Sequence, residues 1–175
     1  MAINWHLKSY NELTNLEIYQ IFKMRVDVFV VEQDCPYNDL DGKDIMPGVL
    51  HFFGVDSERE EDENVIAYLR ILPPNVSYPD MPSMGRVVTS QAARGTGAGH
   101  EMLEKAVAIL DDKWPDKTCH ISAQSHLQGY YNRQEFFAVG EEYLEDDIPH
   151  IGMERSGMER SGMERAGIKL NPKSK

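Results

Sequence analysis

The chain is short of the features that mark secreted, membrane-bound or nucleic-acid-binding proteins. It has two cysteines, Cys35 and Cys119. They form neither a CxxC motif nor a cluster with metal-ligand spacing, which excludes a disulfide framework and predicts no metal site. Both read as small core or pocket-edge residues of a cytoplasmic protein. No apolar run approaches the roughly 20 residues of a membrane helix. Asn4, His6 and Lys8 interrupt any leader pattern after Met1. Positive charge is also in short supply, with 18 Lys and Arg against 29 Asp and Glu and a net charge of −11. That balance predicts neither nucleic acid nor membrane as a partner. It is compatible with a cationic amine substrate. The remaining composition, 41% hydrophobic and 27% charged over 175 residues, is that of one soluble domain with a sizeable core.

The pattern along the chain predicts alternating helices and strands. Thr14 and Glu17 form a capping box ahead of an apolar stripe at Tyr19, Phe22, Val26 and Phe29, so a first helix runs to about Val30. Cys35 to Gly42 is dense in turn residues and reads as a loop. Strands are predicted over 50–55, 65–72, 85–89 and 119–123, with the double proline Pro73-Pro74 stopping the second. Helices are predicted over 97–110 and 125–134. A terminal hairpin pairs 138–144 with 150–153 around Glu145-Asp146-Asp147. The order αβββαβαββ indicates an α/β sheet covered by helices. From residue 152 on a five-residue unit repeats: Gly152-Met-Glu-Arg, Gly157-Met-Glu-Arg and Gly162-Met-Glu-Arg. A period of five matches neither helix nor strand. The expected division is therefore a domain over 1–153 and a repetitive polar tail over 154–175.

The most informative segment is Arg94-Gly95-Thr96-Gly97-Ala98-Gly99, between a predicted strand and a predicted helix. The first N–H groups of a helix lack internal partners, and its dipole favours an anion there. Glycines let the backbone approach a phosphate closely. A Walker loop requires Gly-Lys-Ser/Thr, but Gly99 is followed by His100-Glu101. A dinucleotide fingerprint requires Gly-x-Gly-x-x-Gly and a later acidic strand end, and neither is present. The arrangement Arg/Gln-x-x-Gly-x-Gly/Ala after a strand resembles the acetyl-CoA pyrophosphate loop of the GNAT N-acetyltransferase superfamily. Three further blocks resemble its ElaA-like branch. They are Arg25 to Asp44 with His51, Ala123 to Tyr131, and Asp147 to Met153, in the family's order.

This resemblance implies a single-domain GNAT fold, a mixed, mostly antiparallel sheet with splayed central strands flanked by helices. It implies an acyltransferase carrying acetyl from acetyl-CoA to a primary amine, small molecule or protein, by direct attack in a ternary complex, without a metal. A homodimer is compatible with it. Arg94, Gly95, Thr96, Gly97, Ala98 and Gly99 would hold the CoA diphosphate. Val87, Val88 and Thr89 would bind the pantetheine arm from a strand diverging from 119–123, one backbone N–H serving as oxyanion donor. Gln124 replaces a frequent asparagine beside them. Tyr131 matches the family's general acid to the CoA thiolate, with Phe136 five residues on and Tyr130 as the structural neighbour. Glu32, His126 and His150 are candidates for the base, and Asp41 and His51 for substrate contacts. The chain departs from the family at Glu135, where a glycine usually allows a left-handed turn. That departure motivates an alternative, a CoA-binding module with little catalysis. A second alternative, an acyl-homoserine-lactone-synthase-like enzyme, follows from Arg25 to Asp44. The net charge disfavours it, because that class typically docks an acyl carrier protein on a basic face.

Overall fold

The computed structural model describes residues 1–157. Its elements run β1 (Ile3–Ser9), α1 (Asn15–Arg25), β2 (Leu50–Asp56), β3 (Val65–Leu72), β4 (Ser83–Thr89), α2 (Ala98–Lys113), β5 (Cys119–Gln124), α3 (Gln128–Asn132), β6 (Phe137–Glu145) and β7 (Ile148–Arg155). The capping box is reciprocal. The Glu17 N–H donates to Thr14 Oγ1 at 3.1 Å, and the Thr14 N–H donates to Glu17 Oε1 at 3.2 Å. The first helix does not stop at Val30, because Val26–Glu32 continues α1 as a π-helical stretch. β1 is an element beyond the expected order. It pairs with β2 along its whole length, and Trp5 stacks on Phe52 with ring centroids 5.3 Å apart.

β1, β2, β3 and β4 form one antiparallel sheet, and β5, β7 and β6 form a second. β3 is buried along its whole length, as expected of a strand covered on both faces. Its alternating side chains divide between two cores. Leu69 and Ile71 pack with Phe52 and with Met102, Leu103, Ala106 and Leu110 of α2. Tyr68 packs with Phe53 and with Ile21 and Met24 of α1. Burial of this apolar surface is the main stabilising contribution of the fold.

The two sheets meet at one end. The His120 N–H donates to the Pro82 carbonyl at 3.1 Å. Pro82 immediately precedes β4 and His120 is the second residue of β5, so the strands start side by side. They belong to separate ladders and diverge from there. This is the splay expected of the central strands.

The last strand runs to Arg155, two residues past the expected domain edge. Its C-terminal side chain explains why. Arg155 donates to Asp111 of α2 from Nη1 at 2.7 Å and Nη2 at 3.2 Å, and from Nε to the Gln134 carbonyl at 3.0 Å. Glu154 and Arg155 therefore belong to the sheet. Gly157 is buried against Pro115, Asp116 and Lys117. The second and third repeats fall outside the described residues from position 158 on. No helix among the described residues is long and apolar enough to cross a membrane.

Candidate active site

A cavity of about 580 Å³ opens between the diverging strands. Val87, Val88 and Thr89 line it from β4, and Ile121, Ser122 and Gln124 from β5. Gln124 Nε2 donates to Gln33 Oε1 at 3.2 Å, and Gln33 also lines the cavity. Among the three β4 residues, Val88 is committed to the core on the α1 side. Val87 and Thr89 are left as the partly exposed pair.

Arg94 lines the cavity, and the glycine loop continues beyond it into α2. Gly95 and Gly97 have φ of 75° and 87°, in the left-handed region where side chains are strained. A Cβ at either would meet nothing within 4 Å, so both border open space. No side chain caps the start of α2 at Gly97. Thr96 turns inward, its Oγ1 accepting from the Ala98 N–H at 3.3 Å and donating to the Ala93 carbonyl at 2.5 Å. Thr96 takes the Ala98 N–H, and the N–H groups that follow it in the first turn of this 16-residue helix suit a diphosphate.

Arg94 is engaged across the cavity. Its Nη1 donates to Glu32 Oε1 at 2.6 Å and Nη2 to Oε2 at 2.7 Å. These hydrogen bonds hold the Glu32 carboxyl below the ordinary carboxylate range. A lowered pKa is the opposite of what a base for an amine needs. In this geometry Glu32 is the partner of Arg94.

Tyr131 lines the cavity and is 6% exposed. Burial pushes its pKa up, so it stays protonated through the physiological range. Its hydroxyl makes no hydrogen bond among the described residues. The ring sits edge-on between Tyr130 and Phe136, with centroids at 5.0 and 6.0 Å. Tyr130 anchors α3, its hydroxyl donating to the Gly99 carbonyl at 2.6 Å. Glu135 adopts φ of 65°, the left-handed turn that a glycine would take without strain. Arg155 holds this turn through the Gln134 carbonyl, and its Nη2 lies 3.9 Å from Glu135 Oε2. The departure at Glu135 therefore keeps the turn and leaves Tyr131 seated.

The three candidate histidines occupy different environments. His126 is exposed at the cavity wall. His150 is 9% exposed and faces the cavity from β7. Its Nδ1 lies 2.7 Å from the Ile148 carbonyl and its Nε2 3.2 Å from Glu145 Oε2. The carbonyl only accepts, so Nδ1 carries a proton, and Nε2 faces the Glu145 carboxylate. Asp146 and Asp147, with φ of 49° and 62°, form the tight turn that brings Glu145 and His150 together. His51 is fully buried and away from the cavity, which corrects its assignment to substrate. Its Nε2 lies 3.0 Å from the Asp44 carbonyl and Nδ1 2.8 Å from the Tyr68 hydroxyl. Burial lowers its pKa, consistent with a neutral ring that donates to the carbonyl and accepts from the hydroxyl.

Asp41 does line the cavity, within a charge cluster not evident in the sequence. Buried Arg25 donates to Asp39 at 2.9 Å and Asp44 at 2.6 Å. Arg70 donates to Asp41 at 2.8 and 2.9 Å and to Asp44 at 3.2 Å. Burial raises the Asp41 pKa, but hydrogen bonds from Arg70 outweigh it and hold the carboxyl well below the usual range. Arg86 joins from β4, Nη2 donating to the Asp39 carbonyl at 3.0 Å. It has φ of 54° in a bulge where the ladder with β3 shifts opposite Leu69. Glu145, Arg86, Lys43 and Gln33 are cavity residues that sequence reasoning missed. The signal available for Arg86 was its place two residues before Val88, on the strand already assigned to the cofactor.

Comparison with known proteins agrees with this fold. The family model for the acetyltransferase (GNAT) domain matches residues 59–156. The protein ElaA of Escherichia coli K12 is 38% identical over 153 residues, 87% of this chain and 96% of that one. A crystal structure of an acyl-CoA N-acyltransferase from Pseudomonas aeruginosa has 44% identity and a TM-score of 0.79, covering 89% of this chain and 100% of that one. The crystal structure of Escherichia coli ElaA has 37% identity and the same TM-score and coverage.

Proposed function

The chain belongs to the GNAT acetyltransferase family, and on that premise we propose that this acyltransferase moves acetyl from acetyl-CoA to a primary amine by direct attack in a ternary complex. The observation that carries the reading is the cleft. Two strands share one end and part at the other, and the opening runs from Arg94, in the loop before α2, to Tyr131 and His150.

Acetyl-CoA would supply an activated thioester. The start of α2 and Arg94 suit its diphosphate, and the backbone of Val87 and Thr89 suits the amides of its arm. The bulge at Arg86 turns the backbone near Val87 out of the ladder, so an N–H there suits the thioester oxygen. A primary amine has a pKa near 10, roughly that of lysine, and must lose a proton to attack. His150 Nε2 is best placed to receive it, and Glu145 then faces the imidazolium. The new N–C bond forms as the C–S bond breaks, and Tyr131 gives its hydroxyl proton to the sulfur. Holding both reactants in one cleft makes the attack effectively unimolecular.

The test is incubation with acetyl-CoA and a panel of amines, reading free thiol against acetylated amine. Equal amounts of both support the proposal. Tight acetyl-CoA binding without thiol release would leave a binding module. Gly97→Asp places a side chain and a negative charge at a left-handed position beside the proposed diphosphate, and should abolish acetyl-CoA affinity in a calorimetric titration.

A further inference from the structure

The loop before β2 places one cation in the cavity, Lys43, outside the ion-pair cluster beside it. Arg25, Arg70 and Arg86 pair with Asp39, Asp41 and Asp44 at 2.6–3.3 Å, three against three. Lys43 stands outside that balance. Its Nζ donates to Ser77 Oγ at 2.8 Å and pairs with no carboxylate among the described residues. Its contact with Asp41 is made by the backbone N–H, at 3.1 Å. Lys43, Ser77 and Arg86 all line the cavity.

Arg86 adds an unused donor. Nη2 bonds to the Asp39 carbonyl and to Asp41, and Nε lies 2.9 Å from Asp39 without the alignment to donate. Nη1 makes no hydrogen bond among the described residues. The residue is held at φ of 54°, an unfavourable backbone for a long side chain. Strain of this kind persists where the surroundings over-determine it, often at sites that bind. From the hairpin, Glu145 and His150 contribute a carboxylate and an imidazole to the same cavity.

We infer that the acceptor is an amine that also carries a carboxylate, an amino acid or a close relative. Its carboxylate is held by Lys43 Nζ, Ser77 Oγ and Arg86 Nη1, and its amine turns toward His150 and Glu145. The inference rests on the acyl-transfer reading above. The ammonium of Lys43, paired with no carboxylate among the described residues, suits a monovalent carboxylate. Charge-assisted hydrogen bonds to a carboxylate are also the stronger kind.

The experiment compares each common amino acid with its carboxamide, and adds 1,4-diaminobutane, using acetyl-CoA and a free-thiol readout. The wild type should prefer at least one acid over its amide by about 10- to 100-fold in kcat/KM, the worth of a charged hydrogen bond. Lys43→Gln should bring that ratio close to one, mainly by raising KM for the acid. Lys43→Glu should shift preference toward the diamine. Lys105→Gln, an exposed substitution on α2, should keep the wild-type ratio. Equal use of acids and amides, or a ratio that survives Lys43→Gln, overturns the inference and leaves acyl transfer standing. No thiol with any member of the panel overturns both.

Discussion

Glu32 and Arg94, 62 positions apart, form a two-point ion pair that ties the end of the first helix to the loop before α2. Each is about 40% exposed, so the pair is a modest, salt-screened interaction. Arg94 is also the side chain proposed for the CoA diphosphate, so Glu32 competes for the same N–H groups. Glu32→Gln should tighten acetyl-CoA binding about two- to fivefold in a calorimetric titration. A pantetheine fragment lacking the diphosphate should bind both proteins equally. Weaker acetyl-CoA binding to the variant would mean that the pair builds the site.

Tyr131→Phe keeps the ring between Tyr130 and Phe136 and removes only the proton donor. kcat should fall by roughly 10²–10⁴-fold, the range for general acid catalysis, with acetyl-CoA affinity little changed. Tyr130→Phe should do the reverse. It loses the hydrogen bond to Gly99, about 1 kcal/mol, and weakens acetyl-CoA binding while kcat holds. A Tyr131→Phe enzyme with wild-type kcat, where chemistry limits the rate, defeats the assignment.

Ending the chain at Gly157 should leave turnover and Tm nearly unchanged, because the repetitive extension is proposed to lie outside the catalytic unit. Arg155→Ala should not be neutral. It leaves Asp111 unpaired and releases the turn at Glu135, a loss of about 2 kcal/mol, roughly 4–8 °C in Tm. Thermal unfolding of both proteins checks this. A large loss from the truncation would place part of the extension within the domain.

Acid should destabilise the fold in two stages. His51 has a lowered pKa, so the unfolded chain takes up its proton first. Its contribution is complete above about pH 6.5 and declines as pH falls below that value. Asp41 and Asp44 also have lowered pKa values, and their contribution is complete above about pH 4 and lost as pH falls further. Tm should be level near pH 7, decline gently below about 6.5 and steeply below about 4. His51→Gln should remove the gentle decline. A wild-type Tm that stays level from pH 7 to 5 would contradict the first stage.

Local signals in the sequence carried most of the fold. The Thr14–Glu17 box, the glycine loop and the Asp146-Asp147 turn each act within a few residues and need no tertiary partner. β1 was also legible. Ile3, Trp5 and Leu7 alternate with Asn4, His6 and Lys8, but those polar residues enter the sequence argument only as interruptions of a leader pattern. The charge cluster was not legible. Arg25, Asp39, Asp44 and Arg70 each look like a solvated surface charge, and only the fold brings them together. Glu32 and His51 show the same limit. Residue type and neighbourhood placed both in the right block, but their roles are set by Arg94 in one case and by Tyr68 and Asp44 in the other.

The single backbone bond between His120 and Pro82 makes the molecule an open seam as well as an enzyme scaffold. Past it, two strand edges face each other with N–H and carbonyl groups unpaired among the described residues, as an edge strand presents them. A ligand whose amides pair with those edges would act as a missing strand and join the two sheets into one cooperative unit. Occupancy would then be recorded in the resistance of the whole domain to unfolding. At a hundred times its Kd such a ligand adds about 2.7 kcal/mol, and amide hydrogen exchange along β4 and β5 should slow together.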